Sequence, residues 1–319
     1  MLPLLKFVPI YKTMLWGGHR LPAYVGHPGP SQRVGEAWIL SDVDGSLSTV
    51  ADGPFAGRTL RSVATERAAE LYGEHTPADG KFPLLLKFID AKQELSVQVH
   101  PCDRLAVAHR GPGQRGKTEA WVVLDRNEQT SRIYAGFSAG QTEASFRAAV
   151  QANAVPATLH CYTPQVGDCV FLEAGTVHAI GADILLFEVQ QTSDITYRLY
   201  DWNRVDAITG KPRELHIDLG LASSDFDGGP CEPIRKISTR RQELVACEYF
   251  TLTRHLLSEK EARTVGEPGH CRALVAVAGA GTVNDTPLHT GEVVLVPACC
   301  GAVTVRSESN LELLECCLG

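Results

Sequence analysis

The sequence contains no run of lysine and arginine residues, and acidic residues outnumber basic ones. There are 30 Lys+Arg against 37 Asp+Glu in 319 residues, which gives a formal net charge of -7. A protein that tracks a nucleic-acid backbone needs clustered positive charge. The composition therefore argues against nucleic acid as a partner, and an anionic ligand would have to be held by a few local cations.

The sequence also lacks an apolar run of the length that a lipid bilayer requires. The apolar stretch at the start of the chain is interrupted by Pro3, Lys6 and Pro9, which is not the pattern of a secretory signal. We therefore expect no membrane partner and a cytoplasmic location.

Cysteines are numerous, but the spacing that marks a zinc cluster is missing. None of the ten cysteines forms a C-x-x-C pair, and the two Cys-Cys pairs lie in apolar, strand-like segments. In a cytosolic protein such residues usually act as small buried hydrophobes. We expect that role here, and a functional thiol is the alternative.

Short apolar runs separated by Gly, Pro and Asp dominate the chain. Five runs have the length and composition of strands: Ala120–Leu124, Asp168–Leu172, Ile184–Val189, Ala273–Val277 and Glu292–Val296. Helical spacing of apolar residues is found in Leu60–Leu71 and Thr142–Ala152. A mainly β chain with many short strands indicates a sandwich or a barrel.

An internal repeat divides the chain in two. The segment GDCVFLEA at 167–174 aligns with GEVVLVPA at 291–298, and continuing the alignment places Ala302 where the first copy has His178. We therefore predict two related β-modules. The first, residues 1–230, carries a potential metal site, and the second, residues 231–319, lacks the metal ligands. The predicted linker between them is the stretch rich in Gly and Pro, Asp225–Pro233.

Two segments carry polar side chains on a single face of a predicted strand. The period-two alternation of segment 96–100 places Ser96, Gln98 and His100 on one side, and Lys117 shares a face with Glu119. Polar groups that face an interior need partners, because unpaired buried polar groups are costly. A bound metal ion would supply such a partner.

Gln98, His100, Glu119 and His178 together offer two imidazole nitrogens and two oxygens. This set suits Zn²⁺ or another borderline divalent ion and leaves positions for substrate oxygens. The alternative is that both histidines are core residues hydrogen-bonded to the backbone, which is the commoner fate of a lone histidine. His100 shares a strand face with Gln98, and the second copy of the repeat has lost only the histidine of the first. Both observations favour the metal site.

A further polar cluster lies towards the end of the first module. Glu188 lies at the end of an apolar strand, and Arg198 and Arg204 flank an aromatic stretch. Arginine binds oxyanions in a bidentate way and aromatic rings stack on sugars, so the segment would suit the rim of a sugar-phosphate site. The alternative is a surface loop with internal ion pairs, such as Arg198 with Asp194 or Asp201.

Six motifs together resemble those of type I mannose-6-phosphate isomerases. They are GEAW at 35–38, LKFID at 86–90, S-x-Q-x-H-P at 96–101, GKTEAW at 116–121, A-G-T-x-H-A at 174–179 and T-S-D-x-T-Y-R-x-Y-D at 192–201. The resemblance covers about residues 1–220 in order and continues more weakly to the end. Only 58 residues separate Glu119 from His178, so the chain resembles the short bacterial form.

The resemblance implies a mainly β fold, with two cupin-like (jelly-roll) β-modules and a few short helices. It also implies a zinc-dependent enzyme with one Zn²⁺ per chain. The implied zinc ligands are Gln98, His100, Glu119 and His178. The implied catalytic and substrate-binding residues are Arg198 as the catalytic arginine, Lys117 near the reacting carbons, and Lys87, Ser96 and Arg204 near the phosphate.

The activity that the resemblance implies is the interconversion of D-mannose 6-phosphate and D-fructose 6-phosphate through an enediol(ate). A proton must then move between C1 and C2, and Glu188 and Lys117 are the candidate transfer groups. A guanidinium is a poor base, so we expect an electrostatic role for Arg198. Two other functions stay open, a cupin-type Fe(II) oxygenase and a non-catalytic sugar-phosphate sensor. The oligomeric state is not predicted.

Overall fold

The computed structural model describes residues 1–205 and 210–319, which are built mainly from β-strands. The strands of the first half are β1 Phe7–Val8, β2 Ile10–Gly18, β3 Val34–Leu40, β4 Asp42–Val43, β5 Ser46–Leu47, β6 Thr49–Val50, β7 Leu84–Ala91, β8 Val97–Val99, β9 Glu119–Arg126, β10 Ile133–Phe137, β11 Leu159–Tyr162, β12 Cys169–Leu172, β13 His178–Ile180, β14 Ile184–Gln191 and β15 Tyr197–Tyr200. Those of the second half are β16 Arg241–Ala246, β17 Phe250–Leu257, β18 Ala262–Val265, β19 Arg272–Ala278, β20 Ala280–Val283, β21 Thr286–His289, β22 Val293–Val296, β23 Val303–Ser307 and β24 Leu311–Leu318.

The helices are short. The α-helices are α1 Leu21–Tyr24, α2 Leu60–Glu66, α3 Ala68–Tyr72, α4 Asp103–Arg110, α5 Glu143–Gln151 and α6 Ile217–Ser223. Single 3₁₀ turns occur at Gly53–Phe55, Val155–Thr158 and Ala298–Cys300. In the described part of the chain, none of the helices has the length and hydropathy needed to cross a membrane.

The strands form two modules, each with a larger and a smaller antiparallel sheet. The larger sheets have the orders β12-β9-β14-β7-β2-β3 and β22-β19-β24-β17-β16. The smaller sheets have the orders β11-β10-β13-β8-β15 and β21-β20-β23-β18. The two modules therefore match strand for strand over most of their length, which confirms the predicted fold of two cupin-like β-modules. The domain boundary between residues 230 and 231 stays a prediction.

The predicted strands and one predicted helix are present. The five strand segments fall in β9, β12, β14, β19 and β22. Thr142 caps α5, because its hydroxyl accepts a hydrogen bond from the backbone of Ser145. The prediction of a single helix over Leu60–Leu71 is wrong. The backbone of Arg67, with φ of -122° and ψ of 31°, lies outside the helical region, so α2 ends there and α3 begins after it. The break lets both helices turn their apolar residues into one core.

Alternating side chains of β7, β9 and β14 face two different cores, as the pleat of a strand requires. Phe88 and Phe187 point away from the interior of the first module, into a core that also contains Val275 of the second module. Ile89 and Trp121 point into the interior of the first module. The larger sheet of the first module therefore separates an apolar layer shared by the two modules from an interior in which polar residues can gather.

Three cysteines belong to the shared core. Cys169, Cys271 and Cys316 are buried there, and burial raises the pKa of the Cys169 thiol to about 12. All ten cysteines lie within the described residues and are unpaired. The prediction that the cysteines act as small buried hydrophobes is confirmed for these three, whereas Cys161 is exposed.

The strand register shows what the second module has in place of one predicted metal ligand. Glu119 begins β9 and lies opposite Leu172 of β12. Arg272 begins β19 and lies opposite Val296 of β22, the corresponding strand. Arg272 thus occupies the strand position of Glu119, with a charge of the opposite sign.

The guanidinium of Arg272 is fully buried and is held by backbone carbonyls. It donates to Gly301 O at 3.0 Å, to His270 O at 2.9 Å and to Glu267 O, and its Nε lies 3.8 Å from a carboxylate oxygen of Glu315. A buried charge that has its partners is tolerated, but breaking such a set is costly. Arg272 therefore holds together the loops at this end of the second module.

We predict that Arg272→Met lowers the free energy of unfolding by about 3–5 kcal/mol, because it leaves several buried carbonyls without their donor and removes the positive charge beside Glu315. Urea denaturation followed by circular dichroism measures the change. The matched control is Arg306→Met, since Arg306 lies exposed on β23 of the same module. Equal stability of the two variants would contradict this role.

Candidate active site

Strands of both sheets of the first module bring the predicted metal ligands together. Gln98 lies in β8 and pairs directly with His178, the first residue of β13. His100 follows the end of β8, and Glu119 begins β9 of the other sheet. Residues far apart in the chain therefore meet inside the module because each one faces its interior.

The ligand atoms of His100, Glu119 and His178 lie within 4.8 Å of one another, and all three residues are buried. Nε2 of His178 is 3.4 Å from Oε1 of Glu119, and Nε2 of His100 is 3.6 Å from Oε2 of the same carboxylate. The side-chain amide of Gln98 borders this cluster, with its Nε2 3.3 Å from Nε2 of His178.

Backbone carbonyls set the tautomer of both histidines. Nδ1 of His100 lies 2.8 Å from Ile195 O, and Nδ1 of His178 lies 2.8 Å from Thr176 O. A carbonyl can only accept, so each Nδ1 carries the proton and each Nε2 of a neutral ring presents a lone pair to the cluster. The backbone bonds expected of core histidines are thus present, and they are also the bonds that orient histidine ligands.

The protonation states of the cluster suit a cation. Burial lowers the pKa of both His100 and His178, and the nearby Lys117 lowers that of His100 further. Burial opposes the ionisation of Glu119, but nearby positive charge, first that of Lys117, outweighs it, so the pKa of Glu119 is lowered. Two neutral imidazoles and one carboxylate are the forms that bind a metal ion.

One oxygen of the cluster is short of partners. Oε1 of Glu119 is buried and accepts no hydrogen bond from the residues that the structure describes. A buried carboxylate oxygen without a donor costs free energy, and a metal ion would compensate for that cost. The chemistry of the donor set, two imidazole nitrogens with a carboxylate, therefore fits a divalent ion of the zinc type.

Lys117 connects the cluster to the rest of the site. Its ammonium lies 3.1 Å from Nε2 of His100 and 3.3 Å from Oε1 of Glu188, and it also donates to Glu119. The Lys117 side chain therefore connects the carboxylate of the cluster to a second buried acid.

Glu188 accepts from three donors. Lys87 lies 3.1 Å and Lys117 3.3 Å from its Oε1, and the Trp121 indole donates to its Oε2 at 3.1 Å. Burial disfavours the charged form of Lys87, but Glu188 and Glu36 outweigh burial and raise the pKa of Lys87. Both lysines are thus held beside carboxylates in the interior of the module.

A cavity of about 470 Å³ lies beside the cluster, which is a suitable size for a small-molecule substrate. Six of the predicted site residues line it: Lys87, Ser96, Gln98, Lys117, Glu188 and Arg198. Arg204 is not among its lining residues. The guanidinium of Arg204 instead donates to Glu94 O and to the carboxylate of Asp201.

Several lining residues are not predicted from the sequence. Glu36 and Trp38 line the cavity from β3, and the Trp38 indole donates to Glu36 at 2.6 Å. Their motif at 35–38 contributes to the family resemblance, but nothing in it indicates that the strand passes the site. Arg213 also lines the cavity, and it lies in a segment without periodicity that could have marked it.

The two-module fold and the buried His–Glu–His cluster define the chain as a cupin-like protein with a candidate metal site in its first module. Residues 4–120 match the family model for phosphomannose isomerase type I, catalytic domain. The chain is 38% identical to mannose-6-phosphate isomerase ManA of Bacillus subtilis over 261 residues, which are 80% of this chain and 79% of ManA.

Further comparisons agree. The identity is 38% to a mannose-6-phosphate isomerase of Streptococcus mutans, over 65% of this chain and 63% of that protein. The crystal structure of the Bacillus subtilis mannose 6-phosphate isomerase superposes with a TM-score of 0.87 at 28% identity, covering 98% of this chain and 99% of that one. The chain belongs to the type I phosphomannose isomerase family, whose members are metal-dependent.

We predict that the purified chain binds about one equivalent of divalent metal and that His100→Ala/His178→Ala abolishes this binding, because two of the ligands are lost. Elemental analysis after loading with zinc and desalting measures the metal content. The control pair is His109→Ala/His160→Ala, which lies outside the cluster. Undiminished metal content in a folded His100→Ala/His178→Ala variant would contradict the assignment.

Proposed function

We propose that this protein interconverts D-mannose 6-phosphate and D-fructose 6-phosphate. Family membership supports the reaction, and the named activity of ManA supports the substrate. The observation that carries the proposal is the buried His–Glu–His cluster in contact with Lys117, which lines a cavity of substrate size. We also propose a cytoplasmic location, which the composition supports.

We propose Zn²⁺ as the metal, one ion per chain, held by Gln98, His100, Glu119 and His178. The nitrogen and oxygen donors and the hydrogen-bonded Nδ1 atoms support this choice. When bound, zinc would polarise the oxygens on C1 and C2 of the sugar.

The isomerisation takes a proton from C2 of the aldose and delivers it to C1, while a second proton moves from the oxygen on C2 to the oxygen on C1. We assign these transfers to Lys117 and Glu188, which are joined across 3.3 Å so that a proton can pass between them. Both oxygens of Glu188 also accept hydrogen bonds, so Glu188 orients Lys117 and Lys87 in addition.

Arginine side chains supply positive charge at another part of the cavity. Nε of Arg198 is buried and has no partner among the described residues. Burial and the neighbouring Arg213 lower the pKa of Arg198, and a substrate anion would relieve the repulsion between the two guanidiniums. We propose that Arg198 stabilises the charge of the enediolate.

We propose that Lys87, Ser96 and Arg213 contact the phosphate. All three line the cavity. The role of Arg204 in phosphate binding stays a prediction, and the geometry favours an indirect one. Arg204 and Arg213 both donate to Oδ1 of Asp201 at 2.5 Å, so Arg204 helps to hold the carboxylate that orients Arg213.

We predict that Arg198→Ala lowers kcat about 100-fold and changes KM less than about threefold, because the lost interaction is made mainly in the transition state. A coupled assay of fructose 6-phosphate formation measures both constants. Arg147→Ala is the control, since Arg147 forms exposed ion pairs on α5. A change in KM alone would instead make Arg198 a phosphate-binding residue.

We predict that a chelator abolishes isomerisation of mannose 6-phosphate and that added zinc restores it. Oxygen uptake and thermal unfolding, measured alongside this assay, distinguish the other functions. Iron-dependent oxygen consumption without isomerisation would identify an oxygenase. Thermal stabilisation by mannose 6-phosphate without turnover would identify a sensor. Either result would contradict the proposed function.

A further inference from the structure

The short segment that leads into Glu119 is tied to the start of α4. The backbone N–H of Gly116 donates to Oδ1 of Asp103 at 2.6 Å, and that of Lys117 donates to Pro101 O at 3.1 Å. A side chain at Gly116 would place its Cβ 2.6 Å from the backbone nitrogen of Asp103. The two segments are therefore in direct contact, and Asp103 sets where the segment 116–119 begins.

A second residue also holds this segment. Gln191 accepts from the backbone of Thr118 at 2.9 Å and donates to Thr118 O at 3.1 Å through its own backbone. Its side-chain nitrogen donates to Oδ1 of Asp103 at 3.1 Å. Asp103 therefore holds the segment directly through Gly116 and indirectly through Gln191, on either side of Lys117.

The remaining oxygen of Asp103 is bound by the second module. The Tyr249 hydroxyl, just before β17, donates to Oδ2 of Asp103 at 3.2 Å. Burial and the Asp103 carboxylate raise the pKa of Tyr249 to about 12, so the phenol keeps its proton at neutral pH. A chain of hydrogen bonds thus runs from the second module to the residues on both sides of Lys117.

We propose that Tyr249 and Asp103 are positioning residues for Lys117 and Glu119. The second module then contributes to metal retention and turnover without contacting the substrate. The kinetic part of this inference rests on the proposed isomerase function, and the metal-retention part does not. A hydrogen-bonded support behind a ligand commonly affects metal affinity as well as rate.

The chain offers a matched control for Tyr249→Phe, a second tyrosine whose hydroxyl forms a hydrogen bond between the two modules. The Tyr24 hydroxyl, on α1, donates to Val277 O of β19 at 2.6 Å. It spans the two modules as Tyr249 does, but it has no hydrogen bond to the segment 116–119. Tyr24→Phe therefore shows how much the loss of one hydrogen bond between the modules changes zinc loss and turnover by itself.

The experiment compares zinc-loaded wild type with Tyr249→Phe, Asp103→Ala, their double variant and Tyr24→Phe. The first measurement is the rate of zinc loss to an excess of a chromogenic chelator. The second is kcat and KM for mannose 6-phosphate. Circular dichroism and thermal unfolding check that each variant is folded, and Asp103→Asn, which keeps an acceptor oxygen for Gly116, serves if Asp103→Ala does not fold.

We expect zinc loss to be roughly two- to tenfold faster in Tyr249→Phe and faster still in Asp103→Ala, with kcat lowered more than KM is changed. The double variant should match Asp103→Ala, because Tyr249 acts through Asp103. Tyr24→Phe should behave as wild type in both measurements.

Zinc loss from Tyr249→Phe at the wild-type rate would overturn the proposal, as would an equal change in Tyr24→Phe. Additive effects in the double variant would overturn the assigned route through Asp103. If wild type shows no isomerase activity, the proposed function fails, and the zinc-loss comparison still decides whether Tyr249 and Asp103 position the metal ligands.

Discussion

The site depends on the mutual neutralisation of charges buried in the first module. Glu119 and Glu188 lie in its interior with Lys117 and Lys87, and removing any one of these charges from water without its partners would be strongly unfavourable. The four side chains are therefore held in contact with one another. This arrangement keeps Glu119 ionised and, with burial, keeps His100 neutral, so the forms needed to bind a metal ion follow from the same constraint.

Much of the fold and the candidate ligand set follows from local patterns in the sequence. Period-two alternation is a property of a single strand, so it places Gln98 and His100 on one face without knowledge of the partner strands. The repeat likewise reveals the second module, because both copies keep the same turn and strand. Arg67 shows the limit of such patterns, since helical spacing of apolar residues continues across a break that only the packing of α2 and α3 explains.

Contacts between distant segments could not be predicted in this way. Arg204 and Arg213 both bind Asp201, but Arg213 lines the cavity and Arg204 does not. The link between Tyr249 and Asp103 joins residues 146 positions apart and depends on how the two modules pack. The second module has Arg272 at the strand position that Glu119 occupies in the first module. This correspondence becomes apparent only when the strand registers are compared.

We propose that imidazole nitrogens and oxygens bind the metal, although the chain carries ten unpaired cysteines. X-ray absorption at the zinc edge, on protein loaded with one equivalent of zinc, tests this claim directly. We expect nitrogen and oxygen neighbours at about 2.0–2.2 Å, including the outer-shell signature of two imidazoles. A sulfur neighbour at about 2.3 Å would place the metal on cysteine and rule out this ligand set.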